Sequence, residues 1–366
     1  MGWCVMRRAA ARVVIVLLAG LVSLGELVPV SAQTLSWAIV PSPSVKGEDN
    51  HLEAVSCASA GFCEAVGGLN RRPLIESWNG KRWTMTKAPE VTGQLTAVDC
   101  TSATACVAVG FGLGPLAERW NGTRWSSVPT PAEPNGELVG VSCTSASACT
   151  AVGSDNNGPL IESWNGTRWS VVPSPGGTFD LLAGVSCVSP AFCAAVGVSG
   201  LGSSDPFIES WNGTRWAVVP SPRKRTGSLA GVSCVSATSC TAVGTYLGPK
   251  VNGKPLAESW NGTRWTITPT PTPKSGDLNG VSCLSATRCT AAGSYRPVPS
   301  SHLLTLIESW NGTRWSKVAS PSPGTGDYVL FGVSCPSART CTAVGIVTPP
   351  SAEISRTVIE TGTAGT

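Results

Sequence analysis

The chain is built from one unit written seven times. In its clearest copy, GVSCTSASACTAVG opens at Gly140 and PLIESWNGTRWSVVPSP closes at Pro175. The first cysteine of each copy falls at Cys57, Cys100, Cys143, Cys187, Cys234, Cys283 and Cys335, at spacings of 43, 43, 44, 47, 49 and 52 residues. A unit of this length cannot bury an apolar face alone, so copies must stack in a row or close into a ring.

Four short strands can be read in each copy. Residues 138–143 and 149–153 are apolar and rich in β-branched side chains, and 159–164 and 167–172 alternate around Asn165-Gly166. The first two suit strands covered on both faces. Asn-Gly between two such runs predicts a two-residue type I′ hairpin. No segment after the first 32 residues carries a helical period. Four strands per 40 to 50 residues is the pattern of a propeller blade.

The ends set the phase. Leu35-Ser36-Trp37-Ala38-Ile39-Val40-Pro41 repeats the fourth strand without its hairpin partner, and Thr357-Val358-Ile359-Glu360 repeats the third and stops. The N-terminal strand therefore completes the last blade and leaves no open edge. The expected fold is an all-β, seven-bladed β-propeller over 33–366, with four antiparallel strands per blade. Blade cores begin near Leu52, Leu95, Leu138, Leu182, Leu229, Leu278 and Leu330.

Residues 1–32 read as a secretory signal peptide. Arg7, Arg8 and Arg12 precede the apolar run from Val13 to Gly25, and Val30-Ser31-Ala32 offers small residues for cleavage. At 13 residues the run falls short of the about 20 needed to span a bilayer. Arg7-Arg8 leaves general secretory and twin-arginine export both open. Cys4 leaves with the peptide. The expected location is extracellular or at the cell envelope, with no membrane span in the mature chain. Charge is nearly balanced, 26 Lys plus Arg against 22 Asp plus Glu, which argues against nucleic acid as a partner.

The remaining fourteen cysteines come as one C-x5-C pair per blade. They are Cys57/Cys63, Cys100/Cys106, Cys143/Cys149, Cys187/Cys193, Cys234/Cys240, Cys283/Cys289 and Cys335/Cys341. Each pair flanks the turn between strands one and two, where facing residues lie at disulfide distance. In a secreted chain seven local disulfides are expected rather than metal ligands or free thiols, each adding about 2 kcal/mol in the chain-entropy account. Neither a metal nor another cofactor is expected.

Strand three of every blade carries a glutamate: Glu76, Glu118, Glu162, Glu209, Glu258, Glu308 and Glu360. Strand four carries an arginine in six: Arg82, Arg124, Arg168, Arg215, Arg264 and Arg314. A two-residue turn would place glutamate and arginine on opposite sheet faces, so ion pairs between neighbouring blades are expected, because a buried charge needs a partner. Seven repeated acidic sites are the competing reading. The tryptophan pairs from Trp78/Trp83 to Trp310/Trp315 could wedge the blades apart or form a sugar-stacking row, and bulk between blades is the favoured role. Asn121, Asn165, Asn212, Asn261 and Asn311 match the glycosylation sequon, though their place in tight turns explains them better.

The hairpin Ser163-Trp164-Asn165-Gly166-Thr167-Arg168-Trp169 resembles the Asp-box of bacterial sialidase-type propellers, with asparagine for aspartate and a turn one residue shorter. The chain is more similar still to repeat-rich secreted bacterial propellers without assigned activity, and that resemblance implies fold rather than chemistry. A sialidase-like glycoside hydrolase would need an arginine cluster and a tyrosine nucleophile with its glutamate. Only Tyr246, Tyr295 and Tyr328 are available, and His51 and His302 are the only histidines.

A non-catalytic binding or scaffold module is therefore expected, because the chain stays regular where a sialidase breaks its repeat to place catalytic residues. The tight turns share one face and hardly vary. On the other face, the residues between strands two and three number 5, 4, 5, 8, 10, 11 and 11 from blade one to blade seven. Variable loops on a rigid scaffold are where recognition usually sits. Candidate contacts are Asp205, Tyr246, Lys250, Asn252, Lys254, Tyr295, Arg296 and His302. The expected partner is an extracellular saccharide or protein, met by a monomer.

Overall fold

The computed structural model describes residues 34–365, apart from 132–134, 201–203, 223–225, 249–250, 272–274, 298–299, 301 and 351–353, and apart from the side chains of 251 and 252. The proposed signal peptide lies outside the described residues.

Seven four-stranded antiparallel sheets form a β-propeller. Blade three shows the plan: Glu137–Ser145, Ala148–Asp155, Gly158–Trp164 and Trp169–Val171, each paired with the next. Blade seven is completed by the two ends of the chain. Leu35–Val40 pairs with Arg356–Ala364, with Leu35 opposite Ala364 and Val40 opposite Ile359.

Apolar burial holds the blades to one another. Each hydrophobic cluster draws from two neighbours. Val66 and Ile75 of blade one pack with Leu95, Val98, Ala108 and Trp125 of blade two. Val344 and Ile359 of blade seven meet Leu52, Val55 and Leu74 of blade one, so the seam is packed like any other interface. The inner strands are covered on both sides, which accounts for their continuous apolar character.

A bulge follows the leucine that opens each blade, for instance between Leu229 and Gly231. There the carbonyl of the preceding residue presses on the glycine of the Ala-Val-Gly run. A Cβ built on Gly244 would lie 2.0 Å from the Ser228 carbonyl oxygen, and on Gly153 2.0 Å from that of Glu137. The recurring glycine is a close-approach position.

All seven disulfides form within their own hairpins, with Cα atoms 3.9 to 4.0 Å apart. The sequence places them at the hairpin mouth, beside a turn, and the structure corrects how deep they lie. The second cysteine of each pair, Cys63, Cys106, Cys149, Cys193, Cys240, Cys289 and Cys341, is only 1 to 4% exposed. Each joins one of the apolar clusters between blades: Cys63 packs with Leu74 and Trp83, Cys106 with Val98 and Trp125, Cys240 with Leu229 and Trp265. Cys289 packs with Leu278 and Trp315, and Cys341 with Leu330 and Val358. Strand two is the covered inner strand, so its cysteine faces a neighbouring blade while its partner stands nearer the surface. Half of every bridge is thus part of the core.

The outer hairpin differs from the sequence reading. Its register pairs Trp164 with Trp169 and Ser163 with Ser170, so the turn spans four residues instead of two. Asn165 closes it: its Oδ1 accepts from the Thr167 and Arg168 amides at 3.0 Å and from the Thr167 hydroxyl at 2.8 Å. Gly166 carries the positive φ of 94°, whereas Asn165 does not. A two-residue turn with positive φ throughout occurs instead at Asn70-Arg71, between strands two and three of blade one.

The wider turn overturns the predicted ion pairs. Arg82, Arg124, Arg168, Arg215, Arg264 and Arg314 sit in exposed turns rather than in strand four. The glutamates Glu76, Glu118, Glu162, Glu209, Glu258, Glu308 and Glu360 are all buried. No glutamate–arginine ion pair forms among the described residues.

Candidate functional site

Serines replace arginines as the partners of four of the seven buried glutamates. Five residues after the second tryptophan of a blade, the linker reaches the next blade. Ser42 donates to Glu76, Ser174 to Glu209, Ser221 to Glu258 and Ser320 to Glu360, at 2.6 to 3.1 Å. Ala88 holds that linker position ahead of Glu118, whose two carboxylate oxygens are buried without a hydrogen bond. Burial alone pushes Glu118 up to about 8, while Glu209, with Ser174 and the Gly176 amide beside it, is raised only to about 6. A hydroxyl placed at 88 should repair the gap. Ala88→Ser is expected to stabilise the protein by about 1 kcal/mol near pH 8, read as an increase in the urea midpoint.

A second polar ring is not apparent from any one repeat. The serine before each first cysteine accepts from the cysteine amide of the next blade. Ser142 serves Cys187, Ser186 serves Cys234, and Ser334 serves Cys57 across the seam, at 2.9 to 3.0 Å. Asp99 takes this role in blade two, accepting from the Cys143 amide at 2.6 Å. Its carboxyl is raised to about 6 by burial, against the hydrogen bonds that favour its charged form.

On the variable-loop face the added residues of blade five lengthen a hairpin. Strand two runs Ser239–Gly248 and strand three Val251–Trp260, with Tyr246 paired to Lys254. These two candidates line one cleft of about 460 Å³. Its walls are Pro206, Pro222, Pro255, Pro269 and Pro271 with Leu256 and Ile267, and Glu258 and Ser221 also line it. Glu258 is raised to about 7 by burial, partly offset by the Ser221 hydroxyl. The volume falls in the range of small-ligand sites.

The other candidates do not join this cleft. Asp205 pairs with Ser199 in blade four, one residue from the wall at Pro206. Tyr295 lies in blade six under the Lys317 ammonium, 3.4 Å from its ring centre. The Arg296 amide donates to the Ser275 carbonyl, and His302 Nδ1 stands 3.8 Å from Asp327 Oδ1. Asn252 falls within strand three of blade five, and its side chain is outside the described part, as is Lys250 altogether. The three tyrosines belong to three different blades, and the Tyr328 hydroxyl donates to the Pro323 carbonyl. Among the described residues no tyrosine–glutamate–arginine constellation of the hydrolase kind is assembled from them.

The tight-turn face sorts the tryptophans into two kinds. Trp83, Trp125, Trp169, Trp216, Trp265 and Trp315 are buried as filler between blades. Their partners at 5.6 to 5.9 Å form an outer ring, and five of these six donate an indole N–H to a turn carbonyl: Trp78 to Ala60, Trp120 to Ala103, Trp211 to Pro190, Trp260 to Ala237 and Trp310 to Ala286. Trp164 breaks the pattern. It is buried, and its N–H has no partner.

No family model matches the sequence, and no curated protein does. Solved structures do share the fold. YCF48 bound to D1 peptide superposes with a TM-score of 0.60 at 14% identity, covering 90% of this chain and 97% of its own. YCF48 from Cyanidioschyzon merolae superposes at 0.57 with 15% identity, covering 89% and 98%. At such identities the likeness carries the seven-bladed architecture alone.

Proposed function

We propose that the protein is a non-catalytic binding module working outside the cell, whose variable-loop face holds an extended segment of a partner protein in the cleft of blade five. The observation that carries this reading is the meeting of Tyr246 and Lys254 in one proline-walled cavity. Prolines and a tyrosine offer rigid apolar contact at small entropic cost, and the Lys254 ammonium offers a donor to a side chain that ends in a carboxylate. A propeller of the same fold, YCF48, is known bound to D1 peptide. Seven disulfides suit an oxidising compartment, in keeping with the export signature at the N-terminus. A saccharide suits this cleft less well, since it offers one aromatic ring among five prolines.

Selection of displayed random peptides on oxidised 33–366 tests the proposal. Convergent peptides carrying an apolar side chain next to an aspartate or glutamate are expected. Tyr246→Ala should weaken them about tenfold, as loss of a central anchor does. Selected peptides that bind Tyr246→Ala and Lys254→Glu as tightly as the parent would place recognition elsewhere and sink the reading.

A further inference from the structure

We propose that the tight-turn face is a docking surface for an anionic lipid membrane, on which the propeller lies flat with its variable loops turned away. Among the described residues, the turns of that face and the residues that bound them hold nine cations and no acidic side chain: Arg82 and its five equivalents, Lys81, Arg288 and Arg339. All but Arg288 are exposed. Acidic side chains that reach solvent, such as Asp49, Glu90, Asp155 and Asp205, stand on the variable-loop side. A chain of nearly balanced charge is thus polarised from one face to the other.

The turns themselves do not call for arginine. Asn79 and its five equivalents take from it only the backbone amide, at 3.0 to 3.1 Å, which any residue but proline supplies. Among the described residues no ion pair engages any of the nine cations. Their charge is offered to a partner outside the molecule.

The partner is a plane rather than a strand. Six turns built on the same bonds hold their arginines at one level around the ring. A membrane surface meets all of them at once, whereas a linear polymer meets only those along its path. Trp78, Trp120, Trp211, Trp260 and Trp310 lie half-buried beside the same turns, their N–H groups bonded to turn carbonyls. Indoles in that position suit the headgroup layer of a bilayer, where tryptophan gathers. Anionic headgroups supply the opposite charge, and each arginine near them should raise affinity about fivefold at low salt.

Sedimentation of oxidised 33–366 with vesicles of phosphatidylglycerol and phosphatidylcholine in equal parts, against vesicles of phosphatidylcholine alone, tests this. Binding is expected to the first and not to the second. It should be lost as sodium chloride is raised from about 0.05 M to about 0.5 M and the screening length shrinks. Arg168→Glu, Arg215→Glu and Arg264→Glu, made together, should weaken it at least about a hundredfold. Lys46→Glu, Arg72→Glu and Arg356→Glu change the net charge equally on the variable-loop side, and that triple variant should bind as the parent does. All six substituted side chains are exposed. Should either triple variant fail to fold, the lipid and salt contrasts on the parent still decide. Three results overturn the proposal: equal binding to both vesicles, equal binding by the two triple variants, or tighter binding to soluble polygalacturonate than to the anionic vesicles at the same concentration of charge.

Discussion

Gly244→Ala is expected to destabilise the protein by about 3 kcal/mol or more, or to prevent its folding. The added methyl would sit 2.0 Å from the Ser228 carbonyl oxygen and 2.7 Å from the Leu229 Cα, all of it backbone. Backbone on both sides of the contact cannot swing away as a side chain could. Relief would require the bulge between Leu229 and Gly231 to open, and with it the first strand of blade five. Gly61→Ala is the matched control, because its nearest neighbour is the Ser59 hydroxyl at 3.8 Å, and its effect should stay within about 0.5 kcal/mol. Urea unfolding of both oxidised variants makes the comparison. Equal midpoints would mean that the strand shifts at little cost and that the recurring glycine is not a packing requirement.

The melting temperature is expected to fall as pH rises from about 5 to about 9, by a route set by the buried carboxyls. Burial raises Glu76, Glu258, Glu308 and Glu360 to about 7 and Glu118 to about 8, from 4.5. In the fold these groups keep their protons up to those values, whereas the unfolded chain releases them near its ordinary carboxylate range. Their stabilisation is therefore complete below 4.5 and is lost as pH climbs through 7 and 8. For Glu118 the loss is on the order of 4 kcal/mol at the alkaline end. Glu118→Gln is neutral at every pH. It should stabilise the protein near pH 9, change little near pH 5, and flatten the dependence of melting temperature on pH. A slope identical to that of the parent would show that Glu118 is hydrated in solution and carries no such burden.

The fold was legible because it is written in periods. Cysteine spacing set the blade count, and Leu35 to Pro41 against Thr357 to Glu360 set the closure. What failed was a turn. Asn165-Gly166 reads as a two-residue hairpin from neighbouring residues alone, but the Asn165 side chain captures two amides and a hydroxyl and widens the loop to four. That shift expels Arg168 and its equivalents from the strand, and the expected ion pairs go with it. In four blades the true partners were visible as a serine five residues past the tryptophan, yet they serve the following blade, and inspection of one repeat does not reveal a contact between two. Ser142 and its equivalents were hidden for the same reason, as was the burial of Cys63 and its equivalents against the preceding blade. At the candidate sites, Tyr246 and Lys254 were found by their place in a long insertion.

The seam between Leu35–Val40 and Arg356–Ala364 has a mechanical meaning. The two strands are antiparallel with Leu35 facing Ala364, so both ends of the propeller leave from the same end of one ladder. Tension applied between them loads the rungs one after another, as a zip is drawn, rather than all together in shear. Each disulfide lies inside a single hairpin, and none crosses this ladder. A propeller anchored by one end and pulled by the other would thus part first at its clasp, with its individual hairpins still stapled.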